Sequence, residues 1–227
     1  MISQRSALLS GFSASLPIAM GYFPISFSFG VAATQGGFSV IEAFSLSLII
    51  YAGASQFLAL ALLTSGAPLL VSAFTLIAMN LRHVLYGPAL MREAGKDAST
   101  RYAWAWAFGL TDEVFGQALG ALSCGQRFSE PYMFGLGIGA YASWLLGTAV
   151  GAFAGGALDA WPAISAGLGF MLPALFLALL LSILSRRQLP VIAVAGAVTV
   201  AATLAIGGTS GILLGMLAGA VTGVLRR

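Results

Sequence analysis

Two clusters of polar residues lie inside long apolar stretches of the sequence, where such side chains lack ordinary solvation. The first cluster, NLRHVLYG, places Asn80, Arg82, His83 and Tyr86 within an apolar run at 68–90. Side chains three or four positions apart are neighbours on a helix, so these four residues form one polar stripe. Amide, guanidinium, imidazole and phenol groups could orient a polar ligand or neutralise a buried acid.

Structural roles would also explain this first cluster. Arg82 lies about eight residues, roughly 12 Å, from the end of its run, so its guanidinium could snorkel to the membrane interface. His83 could be a packed, hydrogen-bonded histidine. The chain has one histidine and one cysteine, Cys124, so the sequence predicts neither a metal site nor a bound cofactor.

The second cluster, LTDEVF, places Thr111, Asp112 and Glu113 near the middle of the apolar run at 103–122. An ionised side chain at that depth costs about 2.5–3.5 kcal/mol, so both acids need partners, protons or water. Successive helical positions lie about 100° apart, which allows both acids to point into a helix bundle. The pair indicates either a substrate or proton site or a packing contact with Arg82.

A third polar patch, YAGASQF, places Ser55 and Gln56 in mid-membrane shortly after Tyr51. Its small residues would let helices approach closely, and Gln56 must find a partner in the protein or in a bound ligand. The patch therefore predicts either a ligand contact or a helix contact held by one glutamine.

Helix breaks are expected at two places. Pro17, Gly21 and Pro24 lie close together in the first apolar run, and glycines flank Asp112 on both sides. The ends of half-helices can present amides to a carboxylate or carbonyls to a cation. We therefore expect Pro17 and Gly21, like Asp112, to lie at a binding site.

The composition determines what kind of scaffold positions these residues. Of the 227 residues, 59% are hydrophobic and 7% are charged, which excludes a soluble domain. A membrane-spanning helix needs about 20 apolar residues, and the runs are apolar on every face, unlike barrel strands. We predict an all-α polytopic membrane protein with about eight transmembrane helices. The predicted segments are 7–33, 40–63, 68–90, 103–122, 131–153, 161–184, 190–206 and 210–225.

The formal net charge of +3 indicates topology rather than nucleic-acid binding, because basic residues sit singly or in pairs at segment ends. With both termini inside, most of them are cytoplasmic. The loop at 91–101 would then lie outside despite Arg92, Lys96 and Arg101. Two re-entrant segments, one on each side of this loop, would remove the conflict.

The second predicted segment is similar to the fifth, and the third to the sixth, which predicts an internal inverted repeat. IYAGASQFLALAL is similar to AYASWLLGTAVGA, and MNLRHVLYGPAL to GFMLPALFLALL. We expect residues 1–227 to form a single transmembrane transport domain, with one repeat at 7–90, a second at 103–184 and two extra helices at 190–225. Chance likeness between Ala-, Leu- and Gly-rich helices is the alternative.

Glycines recur at intervals of four residues, or of eight between Gly139 and Gly147, in and directly beside the fifth and eighth segments, a pattern typical of closely packed helices. These glycines are Gly135, Gly139, Gly147, Gly151 and Gly155 in the fifth segment, and Gly207, Gly211, Gly215, Gly219 and Gly223 in the eighth.

Together, YAGASQF, NLRHVLYG and LTDEVF resemble the AzlC family, the larger subunit of bacterial branched-chain amino acid exporters, and the likeness covers about 11–185. This resemblance implies an inner-membrane permease that exports hydrophobic amino acids such as valine, leucine or isoleucine. It also implies a small AzlD-like membrane subunit as partner. The residues that match the family's motif positions are Tyr51, Ser55, Gln56, Asn80, Arg82, His83, Thr111, Asp112 and Glu113.

A zwitterionic amino acid with an apolar side chain needs an anionic partner, donors for its carboxylate and an apolar pocket. Asp112 or Glu113 would take the ammonium group or a coupling proton, and amides of the broken first helix would take the carboxylate. Gln56 and Asn80 would orient the substrate, and Arg82 would keep an acid ionised when no substrate is bound.

Three other functions are weaker interpretations. An intramembrane enzyme would need a nucleophile with a matching base, which the sequence does not offer. A passive channel would not accumulate substrate against a gradient. A structural membrane subunit would use the polar residues only to hold its helices together.

Overall fold

The computed structural model describes residues 4–226 except 97, 159, 171–173, 175–176, 178–180 and 182–183, and all regular elements in that part of the chain are helical. The predicted all-α class is confirmed. The chain forms two compact units, Met1–Leu172 and Pro173–Arg227.

Nine helices and one short 3-10 helix are described in the first unit. They are α1 (Gln4–Gln35), α2 (Val40–Ile49), α3 (Gly53–Thr64), α4 (Leu69–Asn80), α5 (His83–Ala94), α6 (Ala103–Trp106), the 3-10 helix (Ala107–Gly109), α7 (Asp112–Ser123), α8 (Glu130–Leu158) and α9 (Pro162–Gly169). The second unit contributes α10 (Leu189–Ile206) and α11 (Gly208–Leu225).

Four stretches of the described chain are helical, long and apolar enough to cross a membrane: Gln4–Gln35, Leu69–Ala94, Glu130–Leu158 and Leu189–Ile206. Three shorter apolar helices accompany them, at Val40–Ile49, Gly53–Thr64 and Ser210–Leu225. The predicted count of eight spans and the repeat layout stay predictions, and part of the predicted segment at 161–184 lies outside the described residues.

The long helices α1 and α8 pack against each other along their whole length. A Cβ added at Gly11 would lie 2.9 Å from the Leu136 backbone nitrogen, and one at Gly30 would lie 2.6 Å from that of Ala152. Neither position has room for a side chain, so the two backbones are in contact through glycine. The predicted close packing along α8 is confirmed.

The predicted break at Pro17 and Pro24 is wrong, because α1 continues through both prolines. A proline removes one backbone hydrogen bond, but a neighbouring helix can hold the chain in place within a membrane. Here α8 supports α1 before and after the prolines, and the Ser143 hydroxyl on α8 donates to the Ala19 carbonyl at 2.7 Å. No half-helix end is formed in α1, so Pro17 and Gly21 present no amides to a ligand.

The second, third and fourth apolar segments are each interrupted instead. The chain leaves the helix at 50–52 between α2 and α3, and at 110–111 before α7. At 81–82 it turns between α4 and α5 through bonds such as Val84 N–H to Leu81 O at 3.2 Å. The predicted break near Asp112 is confirmed, and the other two interruptions were not predicted.

In the second unit, α10 and α11 pack through glycines of α11. A Cβ at Gly211 would lie 2.7 Å from the Thr203 nitrogen, and one at Gly215 would lie 3.0 Å from the Ala195 carbonyl oxygen. The two helices are separated at Gly207, whose φ of 101° favours glycine. Close packing along the glycines of α11 is therefore confirmed at Gly211 and Gly215.

Candidate functional site

The three interrupted segments of the first unit meet at one open cavity with a volume of about 380 Å³. Non-helical backbone at membrane depth is tolerated where it is buried in protein or lines a cavity, and binding sites of transporters lie at such broken helices. The lining residues are Ile49, Ile50, Tyr51, Ala52, Asn80, His83, Ala107, Phe108 and Leu110.

The wall of this cavity is mostly apolar, with polar groups on the side of α4 and α5. The Ser55 hydroxyl donates to Asn80 Oδ1 at 2.9 Å, and the Asn80 amide donates to the Leu76 carbonyl at 3.0 Å. His83 Nδ1 lies 3.2 Å from the Asn80 carbonyl oxygen. A volume of this order and a few oriented polar groups in an apolar wall are typical of small-molecule sites.

Asp112 forms an ion pair with Arg82, and the two atoms Nη2 and Oδ2 are 2.8 Å apart. Tyr86 donates a further hydrogen bond to Asp112. This contact links the turn between α4 and α5 to the first residue of α7. The side chains are 46% and 38% exposed, so the pair is accessible beside the cavity rather than sealed in the core.

Glu113 points to a different neighbour. The Tyr22 hydroxyl on α1 lies 2.5 Å from Glu113 Oε2 and 2.6 Å from Thr111 Oγ1. Thr111 is also the N-cap of α7, because its hydroxyl accepts from Val114 N–H at 3.3 Å. The two adjacent acids therefore have separate partners: the Arg82 guanidinium and the Tyr86 hydroxyl for Asp112, and the Tyr22 hydroxyl for Glu113.

Gln56 lies behind the cavity in a buried polar chain. Its Nε2 donates to Ser47 Oγ at 2.9 Å, and its Oε1 accepts from Trp144 Nε1 at 2.8 Å. The Ser47 and Thr148 hydroxyls are 2.7 Å apart. Gln56 is fully buried, so one of these bonds would have to open before it could orient a substrate.

Tyr51 lines the cavity and belongs to an aromatic cluster. Its ring meets that of Tyr141 edge-on at 4.8 Å between centroids, stacks on Phe108 at 6.3 Å and approaches Tyr22 at 6.3 Å. Its hydroxyl is buried and has no hydrogen-bond partner among the described residues.

The structure thus brings nine of the eleven predicted site residues into one region. Tyr51, Asn80 and His83 line the cavity, Arg82 and Asp112 pair beside it, and the remaining four are Ser55, Gln56, Thr111 and Glu113. Pro17 and Gly21 are exposed on α1. Whether each of the nine binds substrate stays a prediction.

Some residues that shape the site were not predicted. Glu130 at the start of α8 is buried and accepts from Ser99 Oγ at 2.9 Å, Tyr102 N–H at 2.7 Å and Trp106 Nε1 at 3.1 Å. It thereby anchors α6, which leads into the cavity wall. A glutamate directly before Pro131 and a long apolar run was the available signal.

Tyr22 and Trp144 were also not predicted as partners of the polar residues. Both occur in apolar helices, where an aromatic residue is ordinary. Only the path of the chain, which places α1 and α8 beside α3 and α7, shows that their O–H and N–H groups reach Glu113 and Gln56.

The comparison with known proteins agrees with the predicted family. The sequence profile of the AzlC protein family matches residues 17–158. The inner membrane protein YgaZ of Escherichia coli strain K12 is 46% identical over 185 residues, which cover 81% of this chain and 76% of YgaZ.

Two further relatives extend over nearly the whole chain. An uncharacterized membrane protein of Archaeoglobus fulgidus is 39% identical over 96% of this chain and 94% of its own length. The branched-chain amino acid transport protein AzlC of Bacillus subtilis is 26% identical over 97% of this chain and 84% of its own length. No solved structure matches the chain.

The apolar helices long enough to span a bilayer and the membrane-protein relatives agree on a multi-pass protein of the inner membrane. The match over 17–158 contains all three motifs on which the resemblance was based. The chain belongs to the AzlC family.

Proposed function

We propose that this chain is an inner-membrane permease that exports branched-chain or other hydrophobic amino acids, such as valine, leucine and isoleucine, in exchange for protons. The observation that carries the proposal is the cavity at the meeting point of three interrupted helical segments. A relative named as a branched-chain amino acid transport protein supports the substrate class.

The cavity fits a hydrophobic amino acid in chemical terms. Ile49, Ile50, Phe108 and Leu110 offer apolar contacts for a branched side chain. The carboxylate of Asp112 lies next to this region and can attract an ammonium group when Arg82 moves away from it. Asn80 and His83 can orient the polar end of the substrate.

We also propose that the chain is the large subunit of a two-subunit exporter, acting with a small AzlD-like membrane protein. Two alternatives predict different behaviour. A passive channel would move the same solutes only downhill, and a structural subunit would move none by itself.

The test is counterflow of labelled valine in proteoliposomes that contain the chain with and without the small subunit. His83→Ala should raise the KM for valine, because His83 lines the cavity. The matched control is Val84→Ala on the same helix, since Val84 is 70% exposed and outside the cavity. Equal effects of the two substitutions would contradict this location of the site.

A further inference from the structure

We infer that Glu113 is the carboxylate that binds and releases the coupling proton, whereas Asp112 is paired with Arg82 and is left for the substrate. The transport role of that proton rests on the proposed function. The assignment itself rests on the different partners that the structure gives to the two adjacent acids.

Asp112 has partners that favour its charged form. The Arg82 guanidinium lies 2.8 Å away and does not lose its proton in proteins, and Tyr86 also donates to the carboxylate. A proton on Asp112 would remove one charge of the ion pair and would occupy an oxygen that now accepts. Arg82 and Tyr86 therefore both bind the Asp112 carboxylate, whereas neither contacts Glu113 through a hydrogen bond or an ion pair.

Glu113 has no ion-pair partner among the residues that the structure describes, and its contact is the Tyr22 hydroxyl at 2.5 Å. Tyr22 has one hydroxyl hydrogen but two oxygen neighbours, Glu113 Oε2 and Thr111 Oγ1. The three oxygens therefore form a short chain in which the direction of the hydrogen bonds can reverse.

Both protonation states of Glu113 fit this chain of oxygens without movement of heavy atoms. When the carboxylate is ionised, the Tyr22 hydroxyl donates to Glu113. When Glu113 is protonated, its own hydroxyl donates to Tyr22, and Tyr22 donates to Thr111. A proton can thus be gained or lost while hydrogen bonding is retained, which the ion pair of Asp112 does not allow.

The surrounding groups leave Glu113 as the uncompensated charge. Three tyrosines lie near Glu113: Tyr22 on α1, Tyr51 between α2 and α3, and Tyr86 on α5. Asp112 precedes it on the same helix and is paired with Arg82. His83 contacts the Tyr86 ring edge-on, with 5.2 Å between ring centroids. The tyrosines are neutral at ordinary pH, and Arg82 offsets Asp112.

A spectroscopic titration tests this assignment without any assumption about the substrate. In the purified chain, infrared difference spectra recorded against pH should contain the C=O stretch of a protonated carboxylic acid that is lost in Glu113→Gln. The band should persist in the double variant Arg82→Gln/Asp112→Asn, which removes the ion pair without leaving a free arginine. Loss of the band from the double variant, with retention in Glu113→Gln, would overturn the inference.

A transport measurement adds a second readout. In Glu113→Gln, valine uptake driven by a pH gradient should not exceed uptake by counterflow, so the ratio of the two should fall to about one. Glu113→Asp keeps a titratable group and should restore part of the pH-driven uptake. Accumulation by Glu113→Gln equal to that of the unsubstituted chain would overturn the inference. A titrating band at Glu113 combined with no movement of valine would instead refute the proposed substrate and leave the proton assignment standing.

Discussion

Replacing Gly151 by alanine should destabilise the protein through the contact between α1 and α8. A Cβ at this position would lie 2.8 Å from the Phe27 carbonyl carbon and 2.9 Å from the Phe27 Cα, whereas ordinary contact begins at 3.4 Å. Both obstacles are backbone atoms, which cannot turn aside as a flexible side chain could. The helices must therefore separate by more than about half an ångström.

The cost of this separation can be set against the gain from removing a helical glycine. Overpacking of this kind costs about 1–3 kcal/mol, and a gap of about 0.5–1 Å forfeits a quarter to a half of the dispersion attraction across it. Alanine recovers about 0.5–1 kcal/mol as the better helix former. We therefore expect Gly151→Ala to lose about 1–2 kcal/mol, which corresponds to a Tm lower by roughly 5 °C.

The matched control is Gly156→Ala on the same helix, where a Cβ would meet no atom within 4 Å. This variant should be as stable as the original protein or more stable by up to about 1 kcal/mol. The assay is thermal unfolding of the purified protein in detergent, followed by tryptophan fluorescence. A Gly151→Ala protein that is as stable as Gly156→Ala would refute the direct backbone contact between α1 and α8.

Three further substitutions test the polar contacts around the cavity. Glu130→Gln should lower the free energy of unfolding by about 1–3 kcal/mol in the same assay, because the charged acceptor of three hydrogen bonds is lost. Trp144→Phe should cost about 1–3 kcal/mol by leaving Gln56 Oε1 unpartnered, and an unchanged Tm would contradict that bond. Asp112→Asn should abolish valine efflux while the protein still inserts in membranes, and near-normal efflux would refute its role.

The helical class, the membrane location and the family could be predicted because they depend on composition and on local motifs. An apolar run long enough to span a bilayer indicates a membrane helix, whatever the arrangement of the other helices. Close packing along α8 could also be predicted, because glycines spaced by four residues lie near one another on the helix surface. The interruption before α7 could be predicted because Asp112 and its flanking glycines are local signals.

The partners of the polar residues could not be predicted in the same way. Tyr22 and Glu113 are 91 positions apart, and Gln56 and Trp144 are 88 apart, so their contacts depend on the arrangement of whole helices. The prolines of α1 were misread for a related reason. A proline weakens its own helix locally, but the backbone contact with α8, which the sequence does not show, keeps α1 continuous.

Active export of a hydrophobic amino acid is tested most directly by the accumulation of labelled valine. Proteoliposomes containing the chain and its small partner would be prepared with an interior about one pH unit more acidic than the outside. With one proton exchanged per valine, accumulation of about tenfold is expected. It should collapse when the pH gradient is dissipated and should be lost in Asp112→Asn. Downhill movement alone, or no movement with the partner present, would contradict proton-coupled transport.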